Sequence, residues 1–222
     1  MPKSARSPVR RLKTQKNKQA LIDATLDSIV ELGIAATSVT EIIERADLSR
    51  GMIHLHFGSK DNLLVEAVKQ TGELYYRNLE DALSVAGNTS QERIVAVIDC
   101  DLGERTLNHR SVNIWYAFRG EARERSKIAL YTDTRDKKLN SLLFNEFRVL
   151  AEVEDASDAT ELAVDATHGT LAMMEGFWTD FLLHPDAFDR NHCKRVILRF
   201  ISVLFPSSIG AEGPIFQNRA MR

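Results

Sequence analysis

Apolar residues recur at helical spacing along most of the chain. Ile22, Leu26, Ile29 and Val30 fall at i, i+4, i+7 and i+8, which predicts a helix from about Lys16 to Leu32. Gly33 is placed to stop it with a left-handed cap. Ser38 stands three residues before Glu41, the spacing of a capping box. A short second helix follows, with Val39, Ile42, Ile43 and Ala46 on one face. Asp47-Leu48-Ser49 is the turn: Asp47 suits turn backbone, Leu48 plugs the angle between helices, and Ser49 is set to cap the next helix. That third helix, Arg50 to Phe57, turns Ile53 and Phe57 inward, with Gly51 and Leu55 opposite and Met52 and His54 on the flanks. Gly58 ends it, and Ser59 caps a fourth helix that starts at Lys60. Two short helices across a tight turn are the spacing of a helix-turn-helix.

The pattern stays helical to the end. The fourth helix runs to about Leu83 and is broken at Ala86-Gly87-Asn88-Thr89. Further helices are predicted over Ser90–Leu107, Arg110–Arg123 and Ser126–Leu150, with an acidic loop from Glu152 to Asp158. Residues 159–183 are rich in small types, including Ala163, Ala166, Gly169, Ala172 and Gly176. Residues 189–205 carry Cys193, Val196, Ile197, Phe200, Ile201 and Leu204 on one stripe, and Leu198, Val203 and Phe205 on other faces. A terminal helix apolar nearly all round is expected to be covered on two sides. The fold class is therefore all-α with about nine helices. Its divisions are a basic flexible arm (1–15), the helix-turn-helix domain (16–60), a helical body (61–205) and a loose tail (206–222).

Charge changes the picture more than composition does. The 222 residues carry a net charge of −2, with 44% hydrophobic and 27% charged positions, ordinary for a globular protein. Residues 1–18 hold seven basic residues and no acid: Lys3, Arg6, Arg10, Arg11, Lys13, Lys16 and Lys18. Residues 1–60 sum to +4 and residues 61–222 to −6. A basic head on an acidic body suits a protein that meets phosphate with one end. Two cysteines, Cys100 and Cys193, make neither a disulfide framework nor a local metal site, and a reducing cytoplasm is expected. No apolar run is long enough to span a bilayer. No nucleophile–base pair, glycine-rich phosphate loop or metal set argues for an enzyme, so no catalytic residue and no cofactor is assigned.

The helix-turn-helix carries DNA-reading chemistry. Arg50 is the guanine reader, by bidentate contact. Met52 and Leu55 offer only apolar contact, for example with thymine methyls, and Gly51 permits close backbone approach. Ser38, Thr40, His54, His56 and Lys60 are positioned for phosphates, and Ser49 joins them at the turn. Lys13, Lys16 and Lys18 reach toward backbone or minor groove. His54 and His56 point some 200° apart on a helix and cannot share a metal ion, so none is expected. One such motif covers a short half-site, so a two-fold dimer on a near-palindromic double-stranded operator is expected.

From Thr37 to Leu63 the chain resembles the DNA-binding domain of the TetR family of bacterial repressors. The matching pieces are Ala46-Asp47-Leu48-Ser49, Gly51, His54-Leu55-His56-Phe57 and Lys60. One departure stands out: His54 occupies the place of the usual phosphate-contacting tyrosine, which makes that contact pH-sensitive. The resemblance implies a homodimer through the last two long helices and a small-molecule effector bound in the body.

Aromatic residues gather in that body: Tyr75, Tyr76, Trp115, Tyr116, Phe118, Phe177, Trp178 and Phe181, with Asp99, Asp101, Glu175 and Asp180 near them in sequence. Aromatic faces with a carboxylate are the chemistry that holds quaternary ammonium. Asn113–Phe118 and Met173–Trp178 resemble segments of the choline-responsive BetI branch of the family, which implies Trp115, Phe118, Glu175 and Trp178 as ligand residues. The function expected is a ligand-responsive repressor of choline and glycine-betaine genes. The alternatives are a sensor of lipophilic cations controlling an efflux gene, and a DNA-binding module whose aromatic body serves dimerisation only.

Overall fold

The computed structural model describes residues 8–122, 126–154 and 158–209. They form nine α-helices and one 3-10 turn: α1 (Pro8–Leu32), α2 (Val39–Ala46), α3 (Gly51–Phe57), α4 (Lys60–Val85), α5 (Ser90–Leu102), α6 (His109–Glu121), α7 (Ser126–Val153), α8 (Ala159–Leu183), the 3-10 turn Pro185–Ala187, and α9 (Arg190–Leu204). The chain falls into two compact units. The first gathers the chain through Glu73 with Asn113–Thr132; the second gathers Leu74–Val112 with the chain from Asp133 on. The division cuts α4, α6 and α7, so each of these helices contributes to both units.

The first unit is built to hold α2 and α3. Its core joins Leu21, Ile22, Leu26 and Ile29 of α1, Ile42 of α2, Ile53 of α3, Leu63, Leu64, Ala67 and Val68 of α4, Ile114 and Phe118 of α6 and Ile128 of α7. Arg45 clamps α2 to the end of α1. Its guanidinium donates to both carboxylate oxygens of Glu31, at 2.9 and 2.6 Å, and to Glu41 at 2.9 Å. Gln19 and Gln70 exchange side-chain hydrogen bonds between α1 and α4, at 2.9 and 2.7 Å. Gly33 (φ 77°) and Gly58 (φ 79°) end α1 and α3 in the left-handed region, and Asp47 (φ 51°) does so for α2 without being glycine.

In the second unit α5, α8 and α9 pack against one another. Gly169 of α8 lies beneath Phe200 of α9, whose ring tip stands 2.4 Å from where a Cβ would be. Phe147 of α7 and Phe205 are fully buried and stacked, with ring centroids 5.6 Å apart. Arg190 donates to the carbonyls of Leu102 and Leu107 and lies over the rings of Phe181 and Phe188.

Several local expectations change. α1 starts at Pro8 rather than Lys16: proline suits a first helical turn, and no breaker separates it from the apolar stripe. Residues 8–15 are therefore helix, while Lys3 and Arg6 lie outside the described residues. Ser38 accepts from the Glu41 backbone N–H at 3.1 Å, but the Glu41 carboxylate turns to Arg45 instead of closing a capping box. The complete box is at Thr89 and Glu92, before α5. Ser49 does not cap α3: the cap position falls on Arg50, whose side chain makes no cap bond, and the Ser49 carbonyl accepts from Met52 N–H at 2.9 Å. α5 stops at Gly103 instead of Leu107. α7 runs through Val153, and Asp155–Ser157 of the expected acidic loop lie outside the described residues. The tail is tied down at its start, since Glu154 accepts from the backbone N–H of Ser207 at 3.2 Å and of Ser208 at 2.8 Å, and Ile209 is buried. Residues 210–222 of that tail lie outside the described residues.

Two stability predictions follow from the first unit. Asp47→Gly removes the left-handed penalty at the turn and is expected to raise the unfolding free energy by about 0.5–1 kcal/mol, whereas Asp47→Val lowers it; denaturant melts distinguish the two. The His56 imidazole is held below its ordinary value by burial and by the Lys18 charge. Unfolded chain therefore takes up the proton first as pH falls. The stability this group contributes is whole above about pH 6.5 and is lost below it. Melts of wild type and His56→Gln between pH 8 and 5 are expected to converge as pH falls. Carboxylates held low, such as Glu31 by its hydrogen bond to Arg45 and Glu92 by its bond to the Thr89 side chain, act at lower pH.

Candidate functional site

A seven-residue helix has two sides, and α3 uses them differently. Ile53 is buried, and Met52 and Phe57 are half-buried against the first unit's core. Arg50, Gly51, His54 and Leu55 are exposed, as are Ser38 and Thr40 at the start of α2 and Ser49 in the turn. Lys60 is half-buried at the start of α4. The exposed set thus offers one guanidinium, several hydroxyls and an imidazole within the helix-turn-helix, the mixture that base edges and phosphates require. Ser38 Oγ accepts the Glu41 N–H, and its own hydroxyl proton remains available to a phosphate.

The two histidines part company. His54 Nδ1 lies 2.9 Å from the Gly58 carbonyl. A carbonyl only accepts, so Nδ1 carries the proton, and the neutral ring presents a bare Nε2 lone pair outward. Donation to phosphate from Nε2 then requires the doubly protonated ring. His56 is half-buried, and its Nε2 is buried with no hydrogen-bond partner among the described residues. Of its two ring nitrogens, Nε2 is thus closed to an outside partner. Lys18 lies over the Phe57 ring, 5.6 Å from its centroid, and braces α3 from α1.

In the second unit a buried carboxylate draws aromatic side chains together. Asp101 of α5 is 1% exposed. Its Oδ1 accepts from Tyr75 Oη of α4 at 2.9 Å and its Oδ2 from Trp178 Nε1 of α8 at 2.8 Å. Tyr76 meets Tyr75 edge-on, with centroids 5.4 Å apart, and Lys138 sits 4.2 Å above Tyr76. Asp101 is the member of this group that sequence reasoning placed only among nearby acids. Its signal was present: it follows Val97 and Ile98 at i+4 and i+3, so an acid occupies the apolar stripe of α5.

The four ligand residues implied by resemblance divide between the units. Trp115 and Phe118 belong to the first and Glu175 and Trp178 to the second. Phe118 is fully buried and serves the core that holds α1 and α4. Trp115 is buried, with the Arg119 guanidinium 5.4 Å from its ring centroid. Glu175 is half-buried on α8. Asp99 is engaged by Lys194, and Phe181 packs with His109 and Phe188. Among the described residues no three His, Cys, Asp or Glu side chains gather as metal ligands, and no helix is long and apolar enough to cross a membrane.

Known proteins match both parts of the chain. A model for bacterial regulatory proteins of the tetR family matches residues 21–67, and one for the C-terminal domain of BetI-type transcriptional repressors matches residues 90–206. The HTH-type transcriptional regulator BetI of Stenotrophomonas maltophilia (strain R551-3) is 28% identical over 90% of this chain and 95% of its own length. The crystal structure of a transcriptional regulator from Pseudomonas aeruginosa PAO1 superposes with a TM-score of 0.78 at 25% identity, covering 91% of this chain and 96% of that one. A transcriptional regulator from Saccharomonospora viridis, solved in complex with choline, shares the fold with a TM-score of 0.70 at 19% identity, covering 85% and 96%. The repressor model spans more than half of the chain and the other model spans the helix-turn-helix; the chain belongs to the TetR family of bacterial transcriptional regulators, with a BetI-type C-terminal domain.

Proposed function

We propose that this TetR-family repressor binds a near-palindromic operator as a homodimer through α8 and α9, and that a small quaternary-ammonium cation of the choline type is its effector. The observation that carries the effector reading is the Tyr75–Asp101–Trp178 group: a buried carboxylate with two aromatic side chains bonded to it. Aromatic faces attract a desolvated cation, and a nearby carboxylate adds Coulomb attraction without requiring a donor on the ligand. The names of the BetI relatives and the choline complex of a regulator with this fold support the same chemistry. Choline oxidation or transport genes are the regulated targets this reading implies. Ser38, Thr40, Ser49, Arg50, Gly51, His54 and Lys60 supply the DNA face, with Met52 and His56 bracing its flank.

Exposed Leu183 and Val203, on α8 and α9, support the dimer surface, since both leave large apolar groups in water on a single chain. The mechanism passes through α4. Its first half carries Leu63, Leu64, Ala67 and Val68 of the core beneath α3, and its second half carries Tyr75. A cation that favours one placement of Tyr75 and Trp178 biases α4, and only its difference in affinity between the two states shifts the DNA-binding population.

Calorimetry with choline tests the effector. Wild type is expected to release or absorb heat saturably, Trp178→Ala to bind about tenfold or more weakly, and Asp101→Asn to lose binding further. No heat with choline, against saturable heat with a bulky lipophilic dye, would replace this reading by the efflux-sensor one. Operator affinity is expected to fall steeply from 50 to 200 mM salt as counterions are released, and Arg50→Ala to weaken binding by about 1–3 kcal/mol in gel-shift titrations; a flat salt response counts against a phosphate-tracking face.

A further inference from the structure

Two features of α3 have no internal explanation, and they share one face. Leu55 is 71% exposed. One helical turn before it, Gly51 has no positive φ, and a Cβ built there meets nothing within 4 Å. The backbone does not need glycine at this position and no neighbour excludes a side chain. Long side chains on a helix lean toward its N-terminus, so Leu55 covers the surface above the turn that Gly51 leaves bare. Leu55 thus stands exposed on the side opposite Ile53, beside the exposed Arg50 and His54. Met52, the other apolar reader expected from sequence, is half-buried against the first unit's core. The burial of the two follows the helical repeat, which sets Leu55 opposite Ile53 and Met52 on the flank.

The major-groove edge of DNA carries a single apolar group, the C5-methyl of thymine. We propose that Leu55 is a specificity-determining residue that reads a thymine methyl in each operator half-site, with Gly51 giving the clearance for α3 to approach it. The inference rests on the DNA-binding reading above and adds the base it selects. Hydrogen bonds to the same thymine play no part in it, so the contact is blind to everything except the methyl.

The test uses the full-length protein and an operator obtained by selection from random duplex DNA. Each thymine of the operator is replaced in turn by deoxyuridine, which removes the methyl and keeps the base pair. Wild type is expected to lose about fourfold in affinity per half-site at one thymine position, the worth of one buried methyl. Leu55→Ala is expected to bind the parent operator more weakly and to be indifferent to deoxyuridine at that position. Because Leu55 is exposed, its removal leaves the fold unchanged, which thermal melts of the variant verify. Placing 5-methylcytosine, paired with guanine, at the sensitive position is expected to restore part of the wild-type affinity lost with unmethylated cytosine, and none for Leu55→Ala. An operator with no sensitive thymine, or equal deoxyuridine losses in both proteins, overturns the Leu55 assignment and leaves DNA binding standing. Failure to select any DNA overturns both.

Discussion

A helix of seven residues has too few internal hydrogen bonds to hold itself in water, and α3 is such a helix. It exists because Ile53 is buried and Met52 and Phe57 lean on a core supplied by other helices. The rest of the first unit follows from that need. α1 lends its apolar stripe, α2 is clamped to it by Arg45, and α4 and α6 close the far side with Leu63, Leu64 and Phe118. The same requirement leaves the outward side of α3 unconstrained by packing. Gly51, His54 and Leu55 are all exposed there.

The second unit meets a different cost. A carboxylate as buried as Asp101 is unfavourable unless its oxygens are hydrogen-bonded. Tyr75 and Trp178 meet that requirement from α4 and α8, so three helices are held at one point by polar contacts instead of apolar ones. Polar contacts of this kind are directional and respond to charge. The three helices cut by the unit division, α4, α6 and α7, give any rearrangement there a covalent route into the unit that holds α3.

Much of this was legible in the chain. The helix-turn-helix was readable because its punctuation is local: Gly33, Asp47 and Gly58 take left-handed backbone where the sequence places its breaks. Ser38 and Ser59 accept the N–H groups expected of caps. Asp158 and Asp189 cap α8 and α9 in the structure, a signal of the same local kind. Less legible were features that depend on a competing partner. Glu41 prefers the Arg45 guanidinium to the backbone N–H of Ser38, and α5 yields at Gly103, where Arg190 takes up the freed Leu102 carbonyl. Phe118 reads equally well as an aromatic ligand wall or as core; the apolar residues packed around it are distant in sequence and decide for core.

By itself, then, the sequence determined the all-helical class, the order of the helices, the DNA-reading motif and its family, because helical periodicity and capping act within a few residues. Tertiary structure alone decided that Phe118 is core, that the Nε2 of His56 is buried, and that Asp101 joins Tyr75 and Trp178. Each of those choices is made by a group tens of residues away, whose distance from the site is set by packing and not by any local repeat.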